Sequence, residues 1–112
     1  MDDRSYYDCG HLTDFSKIGE ARPELAEKFF AYYGAVMGEG ALSKREKALM
    51  ALAVAHAIQC PYCIDAYSKN SLQAGADIEQ MTEAAHVATA IRGGASLVHG
   101  MQMKSHHDKV SM

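Results

Sequence analysis

A chain of 112 residues is the size of one small domain, and 48% apolar residues give it the material for a core. Charged residues make up 22% with a formal net charge of −3, which excludes the basic footprint of a nucleic-acid binder and the composition of a disordered chain. The opening MDDRSYYDCGH is acidic and unlike a secretory leader, and the longest apolar stretch, about 48 to 58, falls short of the ~20 residues that a membrane helix needs.

The expectation is therefore a soluble, cytoplasmic, single domain over residues 1–112, with no nucleic-acid or membrane partner. Residues 1 to 12 read as an arm, and 13 to 20 as a short helix. A clearer helix opens at Pro23, whose fixed φ and missing N–H suit a first turn. Leu25, Phe29, Tyr33 (or Tyr32) and Val36 follow its 3.6 period, and Gly38 and Gly40 end it. Ser43 with Glu46 spells a capping box for a helix through Leu49, Leu52 and His56 that loosens near Gln59.

Pro61 disfavours helix in the residue before it, so a new helix is expected to start there, with Cys60 as its N-cap, and to run to Gly75. Asp77 and Gln80 repeat the capping box and open the last helix, from Ile78 to about Met103. Its expected buried stripe is Met81, Ala85, Ala88, Ile91 and Ala95, mostly small residues that let another helix approach closely. No segment alternates like a strand. The fold class is all-α, with about five helices. Helices apolar on more than one face, in so short a chain, also favour a homo-oligomer.

Within this frame the run Cys60-Pro61-Tyr62-Cys63 asks for an explanation. A structural zinc site needs four ligands, and neither Cys9 nor the histidines (His11, His56, His86, His99, His106, His107) supply a clean second pair. Cys9 stands alone in a polar segment, and His86 and His99 read as packing or surface residues. Packing explains buried cysteines but not a proline that sets one thiol at a helix start. A thiolate there meets the positive end of the helix dipole and free amides, and the second cysteine lies one turn along. In a reducing compartment this is the layout of a redox dithiol rather than a structural disulfide.

Residues 42–100, LSKREKALMALAVAHAIQCPYCIDAYSKNSLQAGADIEQMTEAAHVATAIRGGASLVHG, resemble the alkylhydroperoxidase D-like / carboxymuconolactone decarboxylase family in their order "LS.RE…A…C.YC…A…GA…E". Within it, EKFFAYYGAVM and AVAHAIQCPYCIDAY look most like the peroxidase-like proteins associated with arsenosugar biosynthesis. The resemblance implies a helical, trimeric or hexameric thiol peroxidase that uses no cofactor or metal. Its substrate would be a hydroperoxide, and its reductant an external dithiol of thioredoxin or lipoamide type.

Carried over by position, Cys60 and Cys63 match the family dithiol. Two other positions depart from it. The peroxidase members carry a glutamate where this chain has Ala48, and a histidine where it has Tyr67. Glu46, His56 and Tyr67 are the candidates to replace that proton relay. A decarboxylase or lactone-processing enzyme of the same fold, and a non-catalytic oligomeric partner protein, are the competing readings; the intact CxxC counts against the first of these.

Overall fold

The computed structural model describes residues 15–111, so the arm with Cys9 and His11 lies outside the described residues. A 3-10 helix, Phe15–Gly19, precedes four α-helices: α1 (Pro23–Met37), α2 (Lys44–Ala57), α3 (Pro61–Gln73) and α4 (Ile78–Val110). No strand occurs among the described residues, as the absence of alternation implied.

The centre of the fold is α2. Helices α3 and α4 both pack on it, whereas α1 packs on the 3-10 helix and only lightly on α2. Ala48, Leu52 and Ala55 of α2 are buried, together with Tyr67 and Ser71 of α3, Ala76, and Ala88 of α4. These are mostly small side chains, so three helix backbones come close around Leu52, the largest fully buried apolar residue.

Both capping boxes form. The Glu46 amide donates to Ser43 Oγ at 3.1 Å while the Ser43 amide donates to Glu46 Oε1 at 2.8 Å. Asp77 and Gln80 exchange the same pair at 2.8 and 3.0 Å. Helix α3 ends in a Schellman motif: the Ala76 amide donates to Ser71 O, and the Gly75 amide to Leu72 O. Gly75 takes a φ of 93°, where a side chain would be strained. Arg45 Nη1 donates to Gly75 O at 3.4 Å and ties that turn to α2.

Polar contacts also hold α1. Lys47 Nζ donates to Val36 O at 2.6 Å and to Gly38 O at 2.7 Å, placing an ammonium on the carbonyl end of α1. Gly19 supplies the close approach on the other side, since a Cβ there would collide with Ala26.

One expectation about length and one about packing fail, both on α4. Helix α4 continues to Val110, well past residue 103. Its α2-facing stripe is Met81, Ala85, Ala88 and then Arg92, whereas Ile91 is 69% exposed and Ala95 is exposed. After Ala88 the helical period returns to residue 92, and α2 has ended at Ala57. On α1 the stripe Leu25, Phe29, Tyr33 and Val36 faces outward, 40–54% exposed, because little of α1 meets α2. The Cα radius of gyration is 18.9 Å, against ~13 Å for a compact chain of about this length. No helix among the described residues is long and apolar enough to cross a membrane.

Candidate functional site

The two thiols stand at the junction of α2 and α3, and backbone rules place them. Helix α2 ends in its own Schellman motif: the Cys60 amide donates to Ala55 O at 3.0 Å, and the Gln59 amide to His56 O at 3.2 Å. Gln59 occupies the left-handed position with φ 58°, a place that glycine usually fills. The same Cys60 is the N-cap of α3, with Pro61 as the first helical residue. One residue thus closes one helix and opens the next, and its backbone is fixed from both sides.

The side chain follows from this. Cys60 Sγ accepts from the Cys63 amide at 3.2 Å, the position a serine or aspartate oxygen takes at an ordinary N-cap. Cys63, one turn on, brings its sulfur to 2.7 Å from Cys60 Sγ. Both are free thiols and half-buried, so solvent reaches them while the helix start surrounds them. Burial first, then the hydrogen bond and charge of Cys60, push the Cys63 thiol up to about 11. Cys63 therefore keeps its proton at neutral pH. A negative charge on Cys60 would be met by that proton, by the Cys63 amide and by the dipole of a 13-residue helix.

The other candidates are distributed unevenly. His56 lies in the last turn of α2, half-buried, with Nδ1 2.8 Å from Leu52 O. A carbonyl only accepts, so Nδ1 carries the proton and Nε2 of the neutral ring is left as the acceptor. His56 hydrogen-bonds neither sulfur. The Schellman turn breaks the i to i+4 register that would have stacked it under Cys60.

Tyr67 is buried, one turn after Cys63 on α3; burial raises its pKa, so the hydroxyl keeps its proton, but it hydrogen-bonds neither thiol. Glu46 is not brought to the dithiol. It sits in the first turn of α2, near the opposite end, with its carboxylate taken by Ser43, whose backbone and side-chain hydrogen bonds lower its pKa. Ala48 is buried as well, so both positions that depart from the family pattern lie in the packed core. No cluster of three or more His, Cys, Asp or Glu that could hold a metal occurs among the described residues.

Against this geometry, comparison with known proteins is decisive at the level of family. The carboxymuconolactone decarboxylase family profile matches residues 23–103, nearly three quarters of the chain. The chain belongs to the carboxymuconolactone decarboxylase family. A protein of Paracoccus denitrificans known as uncharacterized protein 4 in the cox locus is 41% identical over 88 residues, covering 79% of this chain and 77% of that one. The crystal structure of a Methanobacterium thermoautotrophicum protein matches with a TM-score of 0.72 and 36% identity, covering 75% of this chain and 94% of that chain. An apo structure of a Legionella pneumophila member of the family matches with a TM-score of 0.67 and 34% identity over 80% of this chain and 85% of its own. The all-helical fold is that of the family.

Two residues that support the site were missed by sequence reasoning. Gln59 holds the turn in a conformation that no local signal announces for glutamine. Arg92 Nη1 donates to Ala57 O and braces the end of α2 beside the turn. A legible hint existed there, since Arg92 follows Ala88 by four residues on the buried stripe.

Proposed function

We propose that this family member is a CxxC-dependent thiol peroxidase, reducing hydroperoxides through a Cys60–Cys63 disulfide. The observation that carries it is the pair of free, half-buried thiols 2.7 Å apart at the start of α3. Cys60 as thiolate attacks the distal oxygen of a hydroperoxide: the S–O bond forms, the O–O bond breaks, and the alkoxide leaves and takes a proton to become the alcohol. The Cys60 sulfenic acid then condenses with Cys63, forming the S–S bond and releasing water. An external dithiol, of thioredoxin or lipoamide type, returns both electrons by thiol–disulfide exchange. No cofactor enters this cycle.

His56 is the side chain we assign to the proton, because its Nε2 is the acceptor and it lies in the turn before the junction. Tyr67 is the second polar group on the Cys63 side, and Glu46 serves as a helix cap. The reducing cytoplasm suits two free thiols, and an arsenosugar-related pathway is the setting that the sequence likeness favours. Burial of Ala48 and Tyr67 where peroxidase relatives carry a glutamate and a histidine favours one second reading, a non-catalytic oligomeric partner of a biosynthetic enzyme.

Thiol counting separates them. One equivalent of hydroperoxide is expected to remove two thiols per chain, restored by a dithiol, with a Cys60–Cys63 link in non-reducing peptide maps. Full retention of both thiols after exposure would rule out the peroxidase. For His56, the His56→Ala variant is expected to shift the pH profile of Cys60 alkylation to higher pH, since a proton acceptor or nearby cation is gone. Superimposable profiles would leave the ring as a packing residue.

A further inference from the structure

The last turns of α4 bring three metal-ligating side chains to one place, and the dithiol cycle uses none of them. Helix α4 runs to Val110, so Met103, His106 and His107 stand at i, i+3 and i+4 of one helix. Residues three and four apart on a helix have Cβ atoms ~5–6 Å apart, and His106 and His107 are neighbours in the chain. The three therefore form a triangle. Long side chains on a helix lean toward its N-terminus, which favours rotamers that turn both imidazoles toward Met103. All three residues are exposed, Met103 by 68%. We propose that Met103 Sδ and the imidazoles of His106 and His107 bind one soft monovalent cation per chain, of the Cu(I) class.

The donors select the ion. A thioether is a soft, uncharged ligand, and together with imidazole it suits Cu(I) rather than the oxygen-seeking Ca(II) or Mg(II). A structural Zn(II) site calls for four donors, with thiolate or carboxylate completing the imidazoles. Because the third donor here is a thioether, no cluster of three His, Cys, Asp or Glu is required.

The helix prepares these ligands in three ways. His107 Nδ1 lies 3.2 Å from Asp108 Oδ1, and a carboxylate only accepts. In the neutral ring Nδ1 thus holds the proton and Nε2 carries the free lone pair, the arrangement in which a carboxylate orients a metal-ligating histidine. Ser111 closes the helix behind the ligands, its amide donating to His107 O at 3.0 Å and its hydroxyl to the same oxygen at 2.7 Å. These turns are also the negative end of the helix dipole, where a cation is favoured. Lys104, beside the triangle, has its charge met by Asp108 at 3.2 Å.

Ag(I), a redox-inert ion of the same charge and softness, is the probe. The full-length chain carries Cys9→Ser, Cys60→Ser and Cys63→Ser so that thiols do not compete, and serine keeps the cap of α3. Calorimetric titration with silver nitrate is expected to show one tight equivalent per chain, and NMR of labelled methionine methyls to show Met103 moving first among the seven methionines. Met103→Leu, His106→Ala and His107→Ala are each expected to weaken binding about 30-fold or more, and Asp108→Asn about tenfold. Met101, 67% exposed but on the opposite face of the helix, is the control, and Met101→Leu is expected to change nothing. In the unaltered reduced chain the Met103 methyl is expected to move once the thiols are saturated. Absence of a tight equivalent, a tight site that survives Met103→Leu, or an equal loss in Met101→Leu would overturn the proposal. So would a Met103 methyl that stays unmoved in the unaltered chain at excess Ag(I).

Discussion

Cys60→Ser is expected to abolish hydroperoxide turnover, a loss on the order of 10³-fold or more, as removal of a nucleophile produces. Serine is a better N-cap than cysteine, so its hydroxyl keeps the bond from the Cys63 amide and the fold survives. The loss would then be chemical. Cys63→Ser has a different signature, because Cys60 remains to attack. One equivalent of hydroperoxide per chain is consumed, a sulfenic acid accumulates on Cys60, and no second turnover follows. Trapping with a sulfenic-acid reagent, followed by peptide mapping, reads the site of oxidation. Label on Cys63 in Cys60→Ser, with none on Cys60 in Cys63→Ser, would reverse the order of attack. The geometry argues against that outcome, since Cys60 is the sulfur at the helix N-cap, where it accepts from the Cys63 amide.

Leu52→Ala is expected to cost ~3 kcal/mol, the middle of the range for a leucine truncated in a core. Leu52 is only 2% exposed, in the middle of the helix on which both α3 and α4 pack. Its neighbours in the core are mostly alanines, which have no side chain long enough to refill the cavity. Because the natural margin of small domains is ~5–15 kcal/mol, the change takes a large share of it. Denaturant midpoints for wild type and variant, at one protein concentration so that assembly does not confound them, supply the measure. A difference under ~1 kcal/mol would mean that the stability of the chain resides elsewhere, in contacts between copies rather than around α2.

Local chemistry was legible in the linear chain to an unusual depth. Ser43-Lys44-Arg45-Glu46 and Asp77 with Gln80 announce helix starts because a cap is made within four residues, and both form as read. Pro23 and Pro61 open helices for the same local reason, and Cys60 stands at the N-cap where the proline put it. The family assignment followed from the order of such signals around the CxxC, and the fold class from helical periods without strand alternation.

Where side chains go was less legible, because periodicity shows that a face is apolar without naming what covers it. Ile91 and Ala95 belong to an apolar stripe in sequence, yet α2 ends at Ala57 and leaves them in the open. Leu25, Phe29, Tyr33 and Val36 share a face in the same way, and α1 touches too little of α2 to bury it. The approach of Arg92 to Ala57 O spans 35 positions, and Lys47 reaches back to carbonyls at the end of α1. Neither pairing has a signature in any window of residues.

The candidate site divides along the same line. Sequence alone determined the dithiol, its spacing and its place at a helix start, since these depend on Pro61 and on neighbours within one turn. Only the tertiary structure decided the rest. It bent Gln59 into the left-handed region so that one cysteine ends α2 and begins α3, and it brought Arg92 to Ala57 O beside that turn. Those outcomes depend on where α2 stops and on the direction in which the chain leaves it. The physical reason is range: caps and prolines act within a turn, whereas the packing of three helices around Leu52 sets which groups can meet.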